Sequence, residues 1–220
     1  MPPAETARRP VTVCHRGASA LAPENSLAAF ELAMQHGVDY SELDVHLSLD
    51  GKLVVAHDEV PQLPAARLGV PRLEEVFDLV RGSMGIYVEL KGDGTAGAFG
   101  AAVASGAARG VELIAGSARI ELVQQLREAA PAVPSSILFT PGWTTPDMIA
   151  ACRQLGTIYA HPCFRPTGGF LPTVEALHAA GLLVMTPHTN DPAEARHFAQ
   201  LGVDVIASDD PRVLVGLAGS

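Results

Sequence analysis

Short apolar runs recur along this chain at 11–14, 86–90, 112–115, 136–139, 157–160, 182–185 and 203–207. Runs of this length, bounded by Gly, Pro and polar residues, read as buried strands. Between them the apolar positions change to a helical period, which predicts helices over 27–36, 73–80, 96–108, 118–130, 146–155, 173–180, 192–201 and 213–217. The stretch 40–58 departs from this beat. It starts as a strand with Glu42 and Asp44 at alternate positions, so both carboxylates share one face and Ser41, Leu43 and Val45 take the other. Asp50-Gly51 signals a turn, 53–56 is a returning apolar run, and His57-Asp58 ends it. With the return counted as an extension of the second strand, eight strand–helix units remain, which predicts a parallel sheet closed as a TIM (β/α)8 barrel. A flat doubly wound sheet is the alternative, but no glycine-rich dinucleotide or phosphate-loop fingerprint supports it. The expected organisation is a lead-in at 1–10 and a single-domain barrel over 11–220.

Composition narrows the partners. The 220 residues are 48% hydrophobic and only 5% aromatic, which suits small-residue helices packed closely over a buried sheet. The net charge of -9 and the absence of a basic run argue against nucleic acid. An acidic protein that handles an anion needs a local positive spot, from a metal or from placed Arg and Lys. Cys14, Cys152 and Cys163 match no zinc spacing and read as reduced thiols. The first 13 residues hold no apolar core of signal-peptide length, and no stretch is long enough to span a membrane, so the expectation is a soluble, cytoplasmic protein.

Catalytic groups of such barrels sit at the carboxyl ends of the strands. There the chain offers His15 and Arg16, then Glu42 and Asp44, then His57, then Glu89 and Lys91 two residues apart on one face. Three carboxylates in one place need a counter-ion, and an all-oxygen donor set favours Mg²⁺, Ca²⁺ or Mn²⁺ over zinc. Arg16 and Lys91 add positive charge for an anion. Two imidazoles suit general acid and base work. Together these point to metal-assisted cleavage of a phosphate ester. His161 and His188 also follow strands and read as structural or substrate-wall residues; His46 shares the parity of Glu42 and Asp44; Cys14 faces the helices.

His15-Arg16-Gly17, Pro23-Glu24-Asn25-Ser26, Glu42-Leu43-Asp44-Val45, Asp50-Gly51, Val55-Ala56-His57-Asp58, Pro71-Arg72-Leu73-Glu74-Glu75-Val76, Glu89-Leu90-Lys91 and the closing run from Gly202 to Pro211 occur in one order along the chain. In that order the words resemble the glycerophosphodiester phosphodiesterase family. The resemblance implies a TIM barrel, a divalent metal on Glu42, Asp44 and Glu89, and His15 and His57 as the acid–base pair. It also implies Arg16 and Lys91 near the phosphate, while Asn25, in the loop after the first strand, reads equally as a substrate contact and as a helix cap or loop brace. In the family's usual mechanism the glycerol hydroxyl beside the phosphate attacks phosphorus, and water opens the cyclic phosphate to give glycerol 3-phosphate and an alcohol.

Two departures bear on substrate choice. Only residues 59–70 separate His57-Asp58 from Pro71, where the family commonly carries a sizeable insertion over the mouth. The late tryptophan-bearing word is replaced by Met185-Thr186-Pro187-His188-Thr189-Asn190, and Trp143, the chain's sole tryptophan, is the candidate for a replacement wall. An open mouth keeps two alternatives in play, a lysophospholipase D-like activity on lipids and a catalytically idle barrel that binds phosphorylated ligands.

Overall fold

The structure, a computed structural model, describes residues 9–166 and 169–217. Most of the expected lead-in at 1–10, and the last three residues of the expected barrel, lie outside the described residues.

Among the described residues nine strands form: β1 (Val11–Cys14), β2 (Tyr40–Leu47), β3 (Leu53–Val55), β4 (Gly85–Leu90), β5 (Leu113–Ser117), β6 (Ser135–Phe139), β7 (Tyr159–Pro162), β8 (Leu183–Val184) and β9 (Val205–Ser208). Eight of them run parallel in the order β8-β7-β6-β5-β4-β2-β1-β9, and β3 pairs antiparallel with β2 alone. The two ends of that order meet. Met185 bridges Val205 in parallel, Thr186 N–H donates to the Val205 carbonyl at 3.0 Å, and Asp204 N–H donates to the Val184 carbonyl at 3.0 Å. The ring is therefore the TIM barrel expected from the beat of apolar runs.

Eight α-helices among the described residues surround it: α1 (Leu27–Gln35), α2 (Leu73–Val80), α3 (Thr95–Ala104), α4 (Ile120–Ala129), α5 (Thr145–Leu155), α6 (Phe170–Ala179), α7 (Pro192–Gln200) and α8 (Pro211–Val215). Strand parity divides the apolar residues into two cores. Leu43, Val45, Ile86, Val88 and Cys14 point outward beneath the helices, while Val13, Tyr87, Ile114, Leu138, Met185 and Val205 fill the barrel.

Boundary differences have local causes. The expected strand at 157–160 begins two residues later because Gly156 caps α5 at φ +65° and Thr157 N–H still donates to the Cys152 carbonyl. The helix expected over 96–108 stops at Ala104, two residues before Gly106 turns left-handed at φ +84°. The last helix starts at Pro211 rather than 213, since Asp210 caps the Arg212 N–H and Pro suits a first turn.

The lower barrel depends on a glycine. Tyr40 pairs in register with Gly85, and a Cβ on Gly85 would come within 2.2 Å of the Tyr40 ring. That ring is held in turn by its hydroxyl, which donates to Glu112 at 2.9 Å. We expect Gly85→Ala to lower the unfolding free energy by about 1–3 kcal/mol, the usual penalty for overpacking. Urea denaturation checks this, and an unchanged midpoint would mean that Tyr40 moves aside freely.

Candidate active site

The inner face of β2 carries Tyr40, Glu42, Asp44 and His46 in alternation, as strand geometry requires. Register sets Asp44 beside Glu89 of β4 and Glu42 beside Tyr87. One carboxylate oxygen each from Glu42, Asp44 and Glu89 lies within 4.8 Å of the others. The three side chains are 7%, 1% and 14% exposed, so little water reaches them. Burial pushes the Glu42 carboxyl well above the ordinary carboxylate range, and the nearby charges of Asp44 and Glu89 push it further. Burial also raises Glu89, against the pull of Lys91.

The backbone and two cations offset part of this charge. Arg16 N–H donates to Glu42 Oε2 at 3.0 Å. Lys91 Nζ lies 3.1 Å from both Asp44 Oδ1 and Glu89 Oε1. Burial alone would lower the Lys91 ammonium, but those two carboxylates outweigh it and raise it. The Arg16 guanidinium reaches Glu24 at 3.0 Å, and its Nε stands 3.4 Å from Asp44 Oδ2 without hydrogen-bond geometry. Even with two cations beside it, the cluster pushes the Glu42 carboxyl up towards its neutral form, so all three carboxylates ionise together only with further positive charge, and the donor set is all oxygen. These residues therefore fit a hard divalent ion.

The loop after β1 is shaped to serve the cluster. Arg16 and Asn25 both adopt left-handed backbone, at φ +58° and +56°, and Asn25 N–H donates to the Arg16 carbonyl at 3.0 Å. Asn25 is buried. Its Nδ2 donates to Asp44 Oδ2 at 3.0 Å, and its Oδ1 accepts from the Asp44 N–H at 3.3 Å. The residue expected near the substrate thus grips a carboxylate of the cluster. Ser26, the next residue, caps α1 through the Ala29 N–H.

His15 stands at the end of β1. Its Nδ1 is 2.7 Å from Asp209 Oδ1, and its Nε2 faces the cluster, 3.9 Å from Glu42 Oε2. The ring stacks on His188 with centroids 4.5 Å apart and planes 9° from parallel. Desolvation, and then the neighbouring His15, lower the His188 imidazole. His57 ends the return of β3, where Ala56 N–H donates to the Asp44 carbonyl at 3.0 Å. Its imidazole pairs with Asp58 at 2.9 Å and its carbonyl lies 3.2 Å from His46 Nε2. The return is thus beside β2 as expected, but the His57 ring is 37% exposed, pairs with the exposed Asp58, and does not line the cavity that holds His15, Glu42 and Glu89.

A cavity of about 370 Å³ opens above the apolar barrel core. Glu42, Glu89, His15 and Arg16 line it together with His161, Cys163, Arg165 and the His188 stacked on His15. His161 is pinned by Tyr87 Oη at 3.2 Å and the Thr186 carbonyl at 3.0 Å; burial drops its imidazole to about 4, which suits a wall rather than a proton carrier at neutral pH. Trp143 does not supply the missing wall. It packs edge-on against Phe139 and lines a separate groove with Ile120 and Pro141, because it lies beyond the end of β6 on the helix side. The sequence reading gave no role to Asp209 and favoured a bland one for His188; their link to His15 depends on β9 and β8 closing the ring against β1, which no local pattern displays.

Comparison with known proteins agrees with this geometry. Residues 15–78 match the Glycerophosphoryl diester phosphodiesterase family. A glycerophosphodiester phosphodiesterase of Bacillus altitudinis is 29% identical over 240 residues, which cover 90% of this chain and 93% of that protein. The crystal structure of a glycerophosphodiester phosphodiesterase from Agrobacterium tumefaciens is 29% identical with a TM-score of 0.75, covering 94% of this chain and 99% of that one. An Oleispira antarctica phosphodiesterase, solved in complex with the product sn-glycerol-3-phosphate, shares the fold at a TM-score of 0.82 and 24% identity, over 96% of this chain and 97% of that one.

The left-handed backbone at Asn25 generates a test. Asn25→Ala removes both bonds to Asp44 and places a Cβ residue at φ +56°, whereas Asn25→Gly removes the same bonds without that penalty. We expect the alanine variant to be less stable than the glycine variant by about 1–2 kcal/mol in chemical denaturation. Equal losses would refute the backbone argument.

Proposed function

We propose that this chain, a member of the glycerophosphodiester phosphodiesterase family, is a metal-dependent phosphodiesterase that cleaves glycerophosphodiesters to glycerol 3-phosphate and an alcohol. The observation that carries the reading is a cavity lined by Glu42, Glu89, Arg16 and an Asp-held His15, with Asp44 completing the carboxylate cluster and Lys91 bonded to both Asp44 and Glu89. Glu42, Asp44 and Glu89 would hold a Mg²⁺, Ca²⁺ or Mn²⁺, which supplies charge stabilisation to the phosphate oxygens.

The chain's own residues do the rest. Arg16 and Lys91 add positive charge where the phosphate enters, Arg16 as a planar fork and Lys91 as a point charge. Asn25 holds the Asp44 carboxylate still. His15 and His57 divide two proton transfers, one from the attacking glycerol hydroxyl and one to the departing alcohol. The hydroxyl oxygen forms a bond to phosphorus as the bond to the alcohol breaks, and water then opens the resulting cyclic phosphate. In this reading His57, at the rim, acts on the side open to solvent.

A second reading is favoured by the short segment after β3, whose only regular structure is a 3₁₀ turn at Ala65–Arg67. With so little chain over the mouth, a lipid diester such as a lysolipid could approach the same site, as a lysophospholipase D-like substrate. The idle ligand-binding barrel is the weakest reading, because every acid and histidine that the resemblance calls for stands in place. Among the described residues no helix is long and apolar enough to cross a membrane, and we place the protein in the cytoplasm.

Glycerol 3-phosphate release from glycerophosphocholine is expected with at least one of the three ions, and is expected to stop in EDTA. His15→Ala is expected to lower kcat by about 10²–10⁴-fold, the usual worth of a proton-transferring group. Full activity in EDTA would remove the metal from the mechanism, and an unchanged mutant rate would remove His15.

A further inference from the structure

The hydrogen-bond chain behind His15 fixes more than its position. Asn190 Oδ1 accepts from the backbone N–H of Asp209 at 3.0 Å and from Ser208 Oγ at 2.9 Å. A backbone N–H can only donate, so the oxygen of the Asn190 amide must face it. The Asn190 NH₂ then faces Asp209 and donates to Oδ2 at 2.7 Å. The other oxygen of Asp209, Oδ1, is left to accept from His15 Nδ1 at 2.7 Å. A neutral imidazole held in this way carries its proton on Nδ1, and its lone pair sits on Nε2, the nitrogen that faces Glu42 and the cavity.

We propose that Asp209 and Asn190 are a positioning pair that sets the tautomer of His15, so that Nε2 is the nitrogen that exchanges a proton with the substrate. The proposal rests on the phosphodiesterase reading for what the proton transfer serves, but the tautomer is a property of the protein alone. His188 completes the arrangement by stacking on the ring and fixing its plane. His15, His188 and Asp209 do not make a second metal site. Two imidazoles stacked 9° from parallel direct their in-plane lone pairs side by side rather than to one point, and Asp209 already bonds His15.

The network predicts an unusual outcome for an isosteric change. In Asp209→Asn the new amide must turn its oxygen to the Asn190 NH₂, which puts its own NH₂ against His15 Nδ1. An NH₂ there requires a lone pair on Nδ1, so the proton moves to Nε2 and the ring can no longer accept one from the cavity. Exchanging the two residues reverses this. In the double variant Asp209→Asn/Asn190→Asp, the new carboxylate at position 190 accepts from the backbone N–H of position 209, from Ser208 Oγ and from the side-chain amide that the exchange puts at position 209. That amide's oxygen then returns to face His15 Nδ1.

The test combines ¹⁵N NMR of the His15 ring, recorded above its titration, with steady-state kinetics on glycerophosphocholine and a thermal melt of each variant. Wild type should show protonated Nδ1 and bare Nε2. Asp209→Asn should reverse the two, fold normally, and lower kcat by about 10²–10⁴-fold with little change in KM. The double variant should restore both the tautomer and at least tenfold of the lost kcat. An Nε2-protonated ring in wild type, or an unchanged tautomer in Asp209→Asn, overturns the proposal, as does a double variant that restores neither. Reversal and restoration of the tautomer in a protein silent on every diester would uphold the positioning pair and overturn the reaction assigned above.

Discussion

Three carboxylates crowd one point of the barrel mouth, Glu42 and Asp44 buried and Glu89 partly so, and much of the surrounding structure serves to hold them there. Taking Glu42, Asp44 and Glu89 out of water is costly for each, and their mutual repulsion adds to the cost. The chain spreads the compensation over several elements. β1 contributes a backbone N–H from a left-handed Arg16, the following loop contributes Asn25, and β4 contributes Lys91. Backbone strain at two non-glycine residues is retained beside this cluster, a pattern common where function fixes the geometry. A divalent ion would supply the further positive charge that lets Glu42 ionise beside Asp44 and Glu89.

The barrel makes this possible through parity and register. Alternate β2 residues must face inward, so Tyr40, Glu42, Asp44 and His46 form one stripe from the packed lower core to the mouth. Below it, Gly85 yields its space to Tyr40; above it, Glu89 comes level with Asp44. The short β8 closes the ring through Met185 and Val205, which brings β9 against β1 and Asp209 against His15. Closing the ring and placing Asp209 against His15 therefore depend on the same strands on that side of the molecule.

Much of this was legible in the sequence because it depends on period. Glu42 and Asp44 differ by two residues, so a strand settles their shared face. Glu89 and Lys91 follow the same rule, and the turn at Asp50-Gly51 returns the chain beside β2. What was hidden depends on contacts between distant segments. Asp209 lies 194 residues from His15, and Asn190 lies 19 from Asp209, so neither spacing carries a local signal. Asn25 looked like a substrate contact or a loop brace, and only its burial against Asp44 shows which atoms it holds. Trp143 looked free to reach the mouth, but its packing on Phe139 keeps it elsewhere.

The central claim is that the carboxylate cluster is built to hold a divalent cation. The most direct test is calorimetric titration of Mg²⁺, Ca²⁺ and Mn²⁺ into metal-stripped protein, beside an Asp44→Asn variant whose fold is verified by circular dichroism. The account predicts saturable binding of one ion per chain in wild type and loss of that binding in the variant. Absence of binding with all three ions, or equal binding in the variant, would contradict it.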